Sequence, residues 1–276
     1  MKTKIILEFG CNHNGDIKNA FEMIDAAASL GVWGIKFQKR DLNSMPEHLK
    51  LLPRGETNSF GKNYYDHRAA LEFTVEQLEQ LREYAEKKGL QPIISVFDIN
   101  SIDDVIKAGF TNIKIPSQLY SNYEINSKLC FYAPKALYLY RSTGMHTLSE
   151  ILNYQFFTFF DVTFYCRSIY PCPLDKLKIK WFLEIKKELK SGSMGYSSHE
   201  VHGEAIPLFV TLGAQYIERH FTLDKKMKGT DHSTVSSDIK EIAQIMDEVE
   251  QAEKNIECPE LCAEEEKVKK KYRGFY

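Results

Sequence analysis

The sequence predicts an α/β chain folded as a (β/α)8 TIM barrel. Three observations carry this. Strand and helix signals alternate eight times along the chain. Several strand segments are apolar on successive residues, the pattern of parallel strands covered on both faces. No Asn-Gly or Asp-Gly hairpin turn joins one strand to the next. The length, 276 residues, fits one barrel of about 250 residues as well as two domains of about 150. The alternative, a doubly wound open sheet, calls for a glycine-rich first βα turn, and Gly10-Cys11-Asn12-His13-Asn14-Gly15 is no GxGxxG.

The strand segments, rich in β-branched and aromatic residues, fall at 4–10, 32–38, 91–98 and 112–117, then at 135–142, 159–167, 193–198 and 215–221. Helix punctuation lies between them. Asp16 opens a helix whose Ala20, Ile24, Ala27 and Ala28 share a face, and Gly31 ends it. The stretch 39–73 is too long for an ordinary βα loop and reads as a functional excursion over the barrel mouth. Thr74, with Glu76 and Gln77 behind it, resembles a capping box, and Gly89 closes that helix. Ser101 is the expected cap of a short helix ended by Gly109, and Thr147 opens another. Segments 121–133, 175–190, 202–214 and 238–256 supply the remaining helices, the first of them weakly patterned. The chain thus divides into a barrel over 1–256 and a charge-dense tail or linker over 257–276.

Composition removes several classes. Lys+Arg 36 against Asp+Glu 38 leaves a net charge of −2, which argues against a dedicated nucleic-acid binder. The longest early apolar run, Ile5-Ile6-Leu7, is far short of a signal segment or membrane span. Six scattered cysteines without a CxxC read as reduced thiols of a cytoplasmic protein. Cys258 and Cys262 stand four apart in acidic surroundings with no histidine after them, a poor metal site. Cys166 approaches the mouth without a base to activate it.

In such a barrel the reacting groups project from the C-terminal strand ends. Those ends offer Glu8, then Lys36 and Gln38, then Ser95 and Asp98, then Lys114 and Ser117. The second half adds Arg141 and Ser142, then Arg167, Ser168 and Tyr170, then Ser197 and His199, and finally Glu218 and His220. A lysine inside an apolar strand needs a partner, because burying a bare ammonium costs several kcal/mol. Lysines and hydroxyls converging on one mouth suit a phosphate-bearing anion. A single histidine at a strand end has a plain structural explanation; two on neighbouring strands suit a divalent metal with open positions. Arg141 and Arg167 read as ion-paired rim residues.

The blocks EFGCNHNG at 8–15, IKFQ at 35–38, YYDHRAALEFT at 64–74 and IKIPS at 113–117 resemble the sialic acid (N-acetylneuraminate) synthase family. So do STGM at 142–145, SIYPCP at 168–173, GYSSHE at 195–200 and ERHFTLDKKMKGTDH at 218–232, in order from about residue 4 to 255. The resemblance implies a metal-dependent transferase of carbohydrate biosynthesis. It would condense phosphoenolpyruvate with an aldehyde sugar, giving a nonulosonic or related 2-keto-3-deoxy acid and phosphate. Carried over by motif, His199 and His220 would hold Mn²⁺ or Mg²⁺. Lys36, Ser95, Lys114, Ser117, Ser142, Ser168 and Ser197 would bind phosphoenolpyruvate. Gln38, Tyr170 and Asp231 would face the aldose, with Glu8 and Asp231 as the catalytic pair. The resemblance also implies a homodimer.

The chain departs from the family in several places. Where the family reads Gly-Glu after the IPS block, with the Glu on the acceptor sugar, this chain has Gln118 and Leu119; Leu119 is therefore the expected acceptor contact. Ser168 stands for the family's Asn, and Ser198 for the Asp before the first metal histidine. The family commonly carries a C-terminal antifreeze-like domain, and the tail here resembles only the linker leading to it. These departures support a second reading, a non-catalytic barrel that binds phosphoenolpyruvate or sugar as a binding or assembly protein. A hydrolytic metalloenzyme would need a strand-one HxH, which Asn12-His13-Asn14 lacks.

Overall fold

Eight parallel strands close on themselves in a computed structural model that describes residues 2–54, 58–132, 137–154, 159–189, 191–229, 231–257 and 260–274. The strands are β1 (Lys4–Glu8), β2 (Gly34–Lys39), β3 (Gln91–Val96), β4 (Asn112–Ile115), β5 (Tyr138–Ser142), β6 (Val162–Cys166), β7 (Ser193–Ser198) and β8 (Tyr216–His220). Closure excludes the open sheet: β1 pairs with β8 over five positions, from Lys4↔Tyr216 to Glu8↔His220.

The outer ring comprises α1 (Ile17–Leu30), then α2 (Glu47–Lys50) and α3 (Tyr64–Ala69) in the excursion, then α4 (Val75–Lys87) and α5 (Ile99–Lys107). It continues with α6 (Tyr123–Tyr132), α7 (Leu148–Asn153), α8 (Ile179–Glu188), α9 (Ile206–Thr211) and α10 (Ile239–Glu257), and α11 (Ala263–Tyr272) follows in the tail. The Asp16 side chain accepts from Lys18 N–H, and Gly31 ends α1 at φ 70°, a left-handed turn that a side chain would strain. Thr74 and Thr147 each form a complete capping box, with Gln77 and Glu150. Ser101 is not a cap. Asp98 caps α5 from an extended backbone, accepting at 2.7 Å from both Ser101 N–H and Ser101 Oγ, so the serine lies inside the first turn.

Two cores follow from strand parity. Outward residues such as Leu7, Ile35, Ile94 and Ile217 pack under the helices. Inward residues Ile6, Ile93, Tyr140, Val162, Phe164 and Tyr216 fill the barrel. Gly195 makes room there, since a Cβ on it would stand 2.6 Å from the Phe164 ring. Arg141 has outward parity. It is fully buried rather than at the rim, donates to Thr163 Oγ1 at 3.2 Å, and lies 4.7 Å from both the Tyr120 and Phe160 rings. Arg167 rests its guanidinium on Trp181 at 5.3 Å.

Helix α11 buries none of its residues, and Cys262 caps it through Sγ. Cys258 lies outside the described residues. Among the described residues the cysteines are free thiols, and no helix is long and apolar enough to cross a membrane.

Candidate active site

Above the apolar barrel layer the inward positions turn polar, and register places them side by side. Glu8 pairs with Lys36 and His220, Gln38 with Ser95, Ser95 with Lys114, Cys166 with Ser197, and Ser197 with Glu218. With the loops beyond the strands they line one cleft of about 280 Å³ at the C-terminal mouth. Glu8, Lys36, Gln38, Ser95, Lys114, Ser117, Ser142, Ser168, Tyr170, Ser197, His199, His220 and Asp231 all face it. Leu119 does not: it sits in a short 3-10 turn and packs half-buried against the core, and its neighbour Gln118 takes the place on the cleft wall. In that turn Ser117 and Gln118 face the mouth while Leu119 turns to the core, which a position carried over by motif does not reveal. Asp98 is likewise a helix cap and no part of the cleft wall.

The floor is a buried charge network. Lys36 is ion-paired with Glu8, donates to Ser95 Oγ at 3.1 Å, and lies 3.7 Å from Glu218. Lys114 contacts the other Glu218 oxygen at 2.6 Å and the Phe164 ring face at 4.2 Å. Ser197 Oγ donates to Glu218 at 3.2 Å. None of the four charged groups is more than 4% exposed, so each ammonium needs its carboxylate. Burial alone would raise the Glu218 carboxyl, but Lys114 and Lys36 outweigh it and hold it at about 2. Burial pulls both lysines down. For Lys36 the two carboxylates, Glu218 and Glu8, reverse the sign and carry it above its ordinary value. Lys114, with one carboxylate and Lys36 facing it, stays below.

Beside this floor a cluster of hydroxyls packs against a glycine. A Cβ on Gly144 would meet Ser168 Oγ at 2.2 Å, Ser117 Oγ at 2.7 Å and Cys166 Sγ at 2.9 Å. Ser117 Oγ and Cys166 Sγ are 3.2 Å apart. The glycine lets the Ser117 and Ser168 hydroxyls and the Cys166 thiol close in on its backbone, and these hydroxyls on the cleft wall suit an oxyanion ligand. Cys166 reaches the mouth, as expected, and serves as a wall.

Beyond β7 and at the end of β8, His199 and His220 stand with ring centroids 5.6 Å apart. His199 Nδ1 donates to the Arg167 carbonyl oxygen at 2.8 Å, which fixes the tautomer and leaves Nε2 as a lone pair toward the cleft. Burial, then the charge of His220, holds His199 at about 3, a neutral imidazole ready to ligate. His220 Nδ1 is buried without a hydrogen bond, and Asp231 Oδ2 lies 3.5 Å from it. Tyr170 stacks on His199 at 4.2 Å. These donors fit a divalent cation whose other positions belong to water or substrate; among the described residues no three His, Cys, Asp or Glu side chains form a closed cage.

Some lining residues escaped sequence reasoning. Glu218 appears among the strand ends, but only the register shows it as the shared counterion. Arg40, Tyr64 and Arg68 also line the cleft. They come from the excursion, whose irregular pattern gives no parity rule to say which side chains point inward.

Comparison with known proteins identifies the family. The NeuB family profile matches residues 23–260. The chain is 33% identical over 262 residues to the N-acetylneuraminate-9-phosphate synthase of Homo sapiens, covering 92% of this chain and 71% of that one. It is 34% identical to the N,N'-diacetyllegionaminic acid synthase of Legionella pneumophila, covering 90% and 72%. The crystal structure of N-acetylneuraminic acid synthetase from Leptospira borgpetersenii, in complex with citrate, superposes with a TM-score of 0.79 at 27% identity, covering 98% of this chain and 92% of that one. A closed barrel and matches over most of the length agree: the chain belongs to the NeuB family and is a sialic-acid-synthase-like enzyme.

Proposed function

We propose that this barrel condenses phosphoenolpyruvate with the aldehyde carbon of a sugar, giving a 2-keto-3-deoxy sugar acid and inorganic phosphate. The observation that carries this reading is the pair of buried ammonium groups, Lys36 and Lys114, sharing Glu218 in a cleft also lined by serine hydroxyls. Two cations and several hydroxyls around one small space suit a compact substrate with both a phosphate and a carboxylate.

In the proposed reaction C3 of phosphoenolpyruvate forms the new bond to the aldehyde carbon, whose oxygen becomes an alkoxide and takes a proton. Water adds at C2, and the C2–O bond to phosphate breaks, leaving the ketone. Lys36, Lys114, Ser95, Ser117, Ser142, Ser168 and Ser197 bind and orient the enol ester. Glu8, held by Lys36 and by Gln38 Nε2 at 2.6 Å, faces the reacting carbons and manages the proton of the attacking water. Asp231, Gln38 and Tyr170 orient the aldose. His199 and His220 would hold Mn²⁺ or Mg²⁺, which when bound supplies a Lewis acid for the developing alkoxide.

The test is phosphate release from phosphoenolpyruvate in the presence of Mn²⁺ and a panel of aldoses. Acceptor-dependent release is expected, with His220→Ala losing Mn²⁺ binding and turnover together. Tight phosphoenolpyruvate binding without release for any aldehyde would favour the binding-protein reading, and full activity in His220→Ala would remove the metal assignment.

A further inference from the structure

Behind the two histidines, on the side of the strands away from the cleft, stands a guanidinium that the condensation does not use. Arg219 precedes His220 on β8 and has the opposite parity, so its side chain runs outward between barrel and helices, where it is fully buried. Its donors reach three segments. Nε donates to Ser237 Oγ at 2.9 Å, and Nη1 to Ser198 Oγ at 3.2 Å and to the Glu200 carbonyl oxygen at 2.6 Å. Nη2 donates to the Val201 carbonyl oxygen at 2.7 Å. Ser198 is the last residue of β7, and Glu200 and Val201 directly follow His199, past the end of the β7 ladder. Ser237 closes the loop that carries Asp231 and gives its N–H to the His220 carbonyl oxygen at 2.9 Å.

The charge is met through a hydroxyl. Ser198 Oγ, which accepts from Arg219, donates in turn to one Glu200 carboxylate oxygen, and Tyr196 Oη donates to the other. Cation and carboxylate are both buried and joined by one serine. Well-packed apolar side chains often stabilise a fold as well as a buried ion pair does, so what the arginine adds is position. His199 is held on one side already: Nδ1 donates to the Arg167 carbonyl oxygen, and its own carbonyl oxygen accepts from Cys172 N–H at 2.8 Å. Arg219 holds the chain that leaves His199, and it is covalently next to His220. A planar fork fixes several acceptors at set separations, which a single ammonium does not. The two imidazoles, 5.6 Å apart between centroids, are therefore tied to each other through this one side chain.

We propose that Arg219 is a positioning residue that sets the separation of His199 and His220, and with it the affinity of the divalent-cation site, without touching cation or substrate. This rests on the metal assignment proposed above.

The experiment measures Mn²⁺ binding to the substrate-free protein, from the loss of the free-ion EPR signal, in wild type, Arg219→Lys, Arg219→Met, Ser237→Ala and His220→Ala, with urea unfolding of each. Arg141→Lys is the control, since Arg141 is equally buried and outward-facing but contacts Thr163, Tyr120 and Phe160. Arg219→Met should raise the Mn²⁺ Kd about 10- to 100-fold, the usual cost of losing a group that orients metal ligands. Arg219→Lys should fall between that variant and wild type, and Ser237→Ala, which deletes one contact, should show a smaller rise. Arg141→Lys should lower the urea midpoint and leave Mn²⁺ binding unchanged. If Arg219→Met does not fold, Arg219→Lys and Ser237→Ala decide the matter. Folded Arg219→Lys and Ser237→Ala with wild-type Mn²⁺ affinity would show that the arginine only stabilises the fold and would overturn the proposal, as would an equal loss in Arg141→Lys. Wild-type affinity in His220→Ala is a different failure: it removes the metal site itself, and the proposal with it.

Discussion

Replacing Gly144 with Ala tests the Ser117–Ser168 hydroxyl cluster with a single methyl group. Its φ lies outside the left-handed region, so space rather than backbone freedom is at stake. The added carbon would lie 2.2 Å from Ser168 Oγ, 2.7 Å from Ser117 Oγ and 2.9 Å from Cys166 Sγ. Ordinary contact needs about 3.5 Å, so at least the Ser168 hydroxyl must swing away by about 1 Å. Overpacking of this size costs about 1–3 kcal/mol, which a domain with 5–15 kcal/mol of stability survives. Losing one hydrogen bond to a charged ligand costs a further 1.5–3 kcal/mol of binding, a factor of roughly 10–150 in Kd. Calorimetric titration of phosphoenolpyruvate into wild type and Gly144→Ala measures this, with urea unfolding to confirm that the variant is folded. A folded Gly144→Ala that binds phosphoenolpyruvate within threefold of wild type would show that these hydroxyls do not hold the phosphate.

Glu218→Gln leaves Lys114 and Lys36 facing each other with one carboxylate fewer, and should cost about 3–5 kcal/mol in urea unfolding. Because phosphoenolpyruvate restores the missing negative charge, it should raise the Tm of that variant more than that of wild type; equal shifts would contradict the counterion role. Burial holds His13 at about 3, against 6.5 ordinarily, with the Arg68 and His232 charges adding to it. A lowered histidine is neutral in the fold while the unfolded chain takes up a proton, so this stability is intact above pH 6.5 and declines toward pH 3. The slope is about 1.4 kcal/mol per pH unit, roughly 2 kcal/mol by pH 5, and His13→Gln should remove it; parallel pH profiles of the two proteins would refute this. Leu119→Glu should destabilise the fold by about 1–3 kcal/mol while leaving acceptor KM in place, whereas Gln118→Ala should shift acceptor KM; the reverse pattern would return Leu119 to the cleft.

How far the sequence could be read depended on periodicity. Lys36 and Lys114 sit inside apolar strands, where alternation fixes the inward face, and only a paired or liganded ammonium belongs there. Glu8, Ser95, Ser142, Ser197 and His220 were legible as C-terminal strand ends. Leu119, carried over from the family motif, was misplaced, because the 3-10 turn after β4 has a different period from the strand and puts Gln118 on the cleft wall instead. Ser101 failed for a related reason: Asp98 and Ser101 are both good caps, and the choice depended on where the strand released the chain. Arg141 was misplaced at the rim although its parity, opposite to Ser142, put it under the helices. Arg40 and Arg68 could not be placed at all, since nothing in 39–73 repeats with a strand or helix period long enough to assign faces.

The charge network adds a point that no inventory of side chains contains. Lys36 and Lys114 are each already matched by a carboxylate, Glu8 and Glu218. A phosphate-bearing diacid entering the cleft does not meet bare cations; it competes with two buried carboxylates for them. Its affinity is the difference between two sets of ion pairs in the same low-dielectric space, so removing a lysine and removing a glutamate have opposite consequences for binding. Lys114→Met should weaken phosphoenolpyruvate more than it weakens the fold, because it deletes a ligand contact and strands Glu218 beside the incoming anion. Glu218→Gln should weaken the fold and spare or improve the anion's affinity. If calorimetry instead finds both variants losing phosphoenolpyruvate to the same degree, Glu218 acts on the substrate directly rather than as the counterion it displaces.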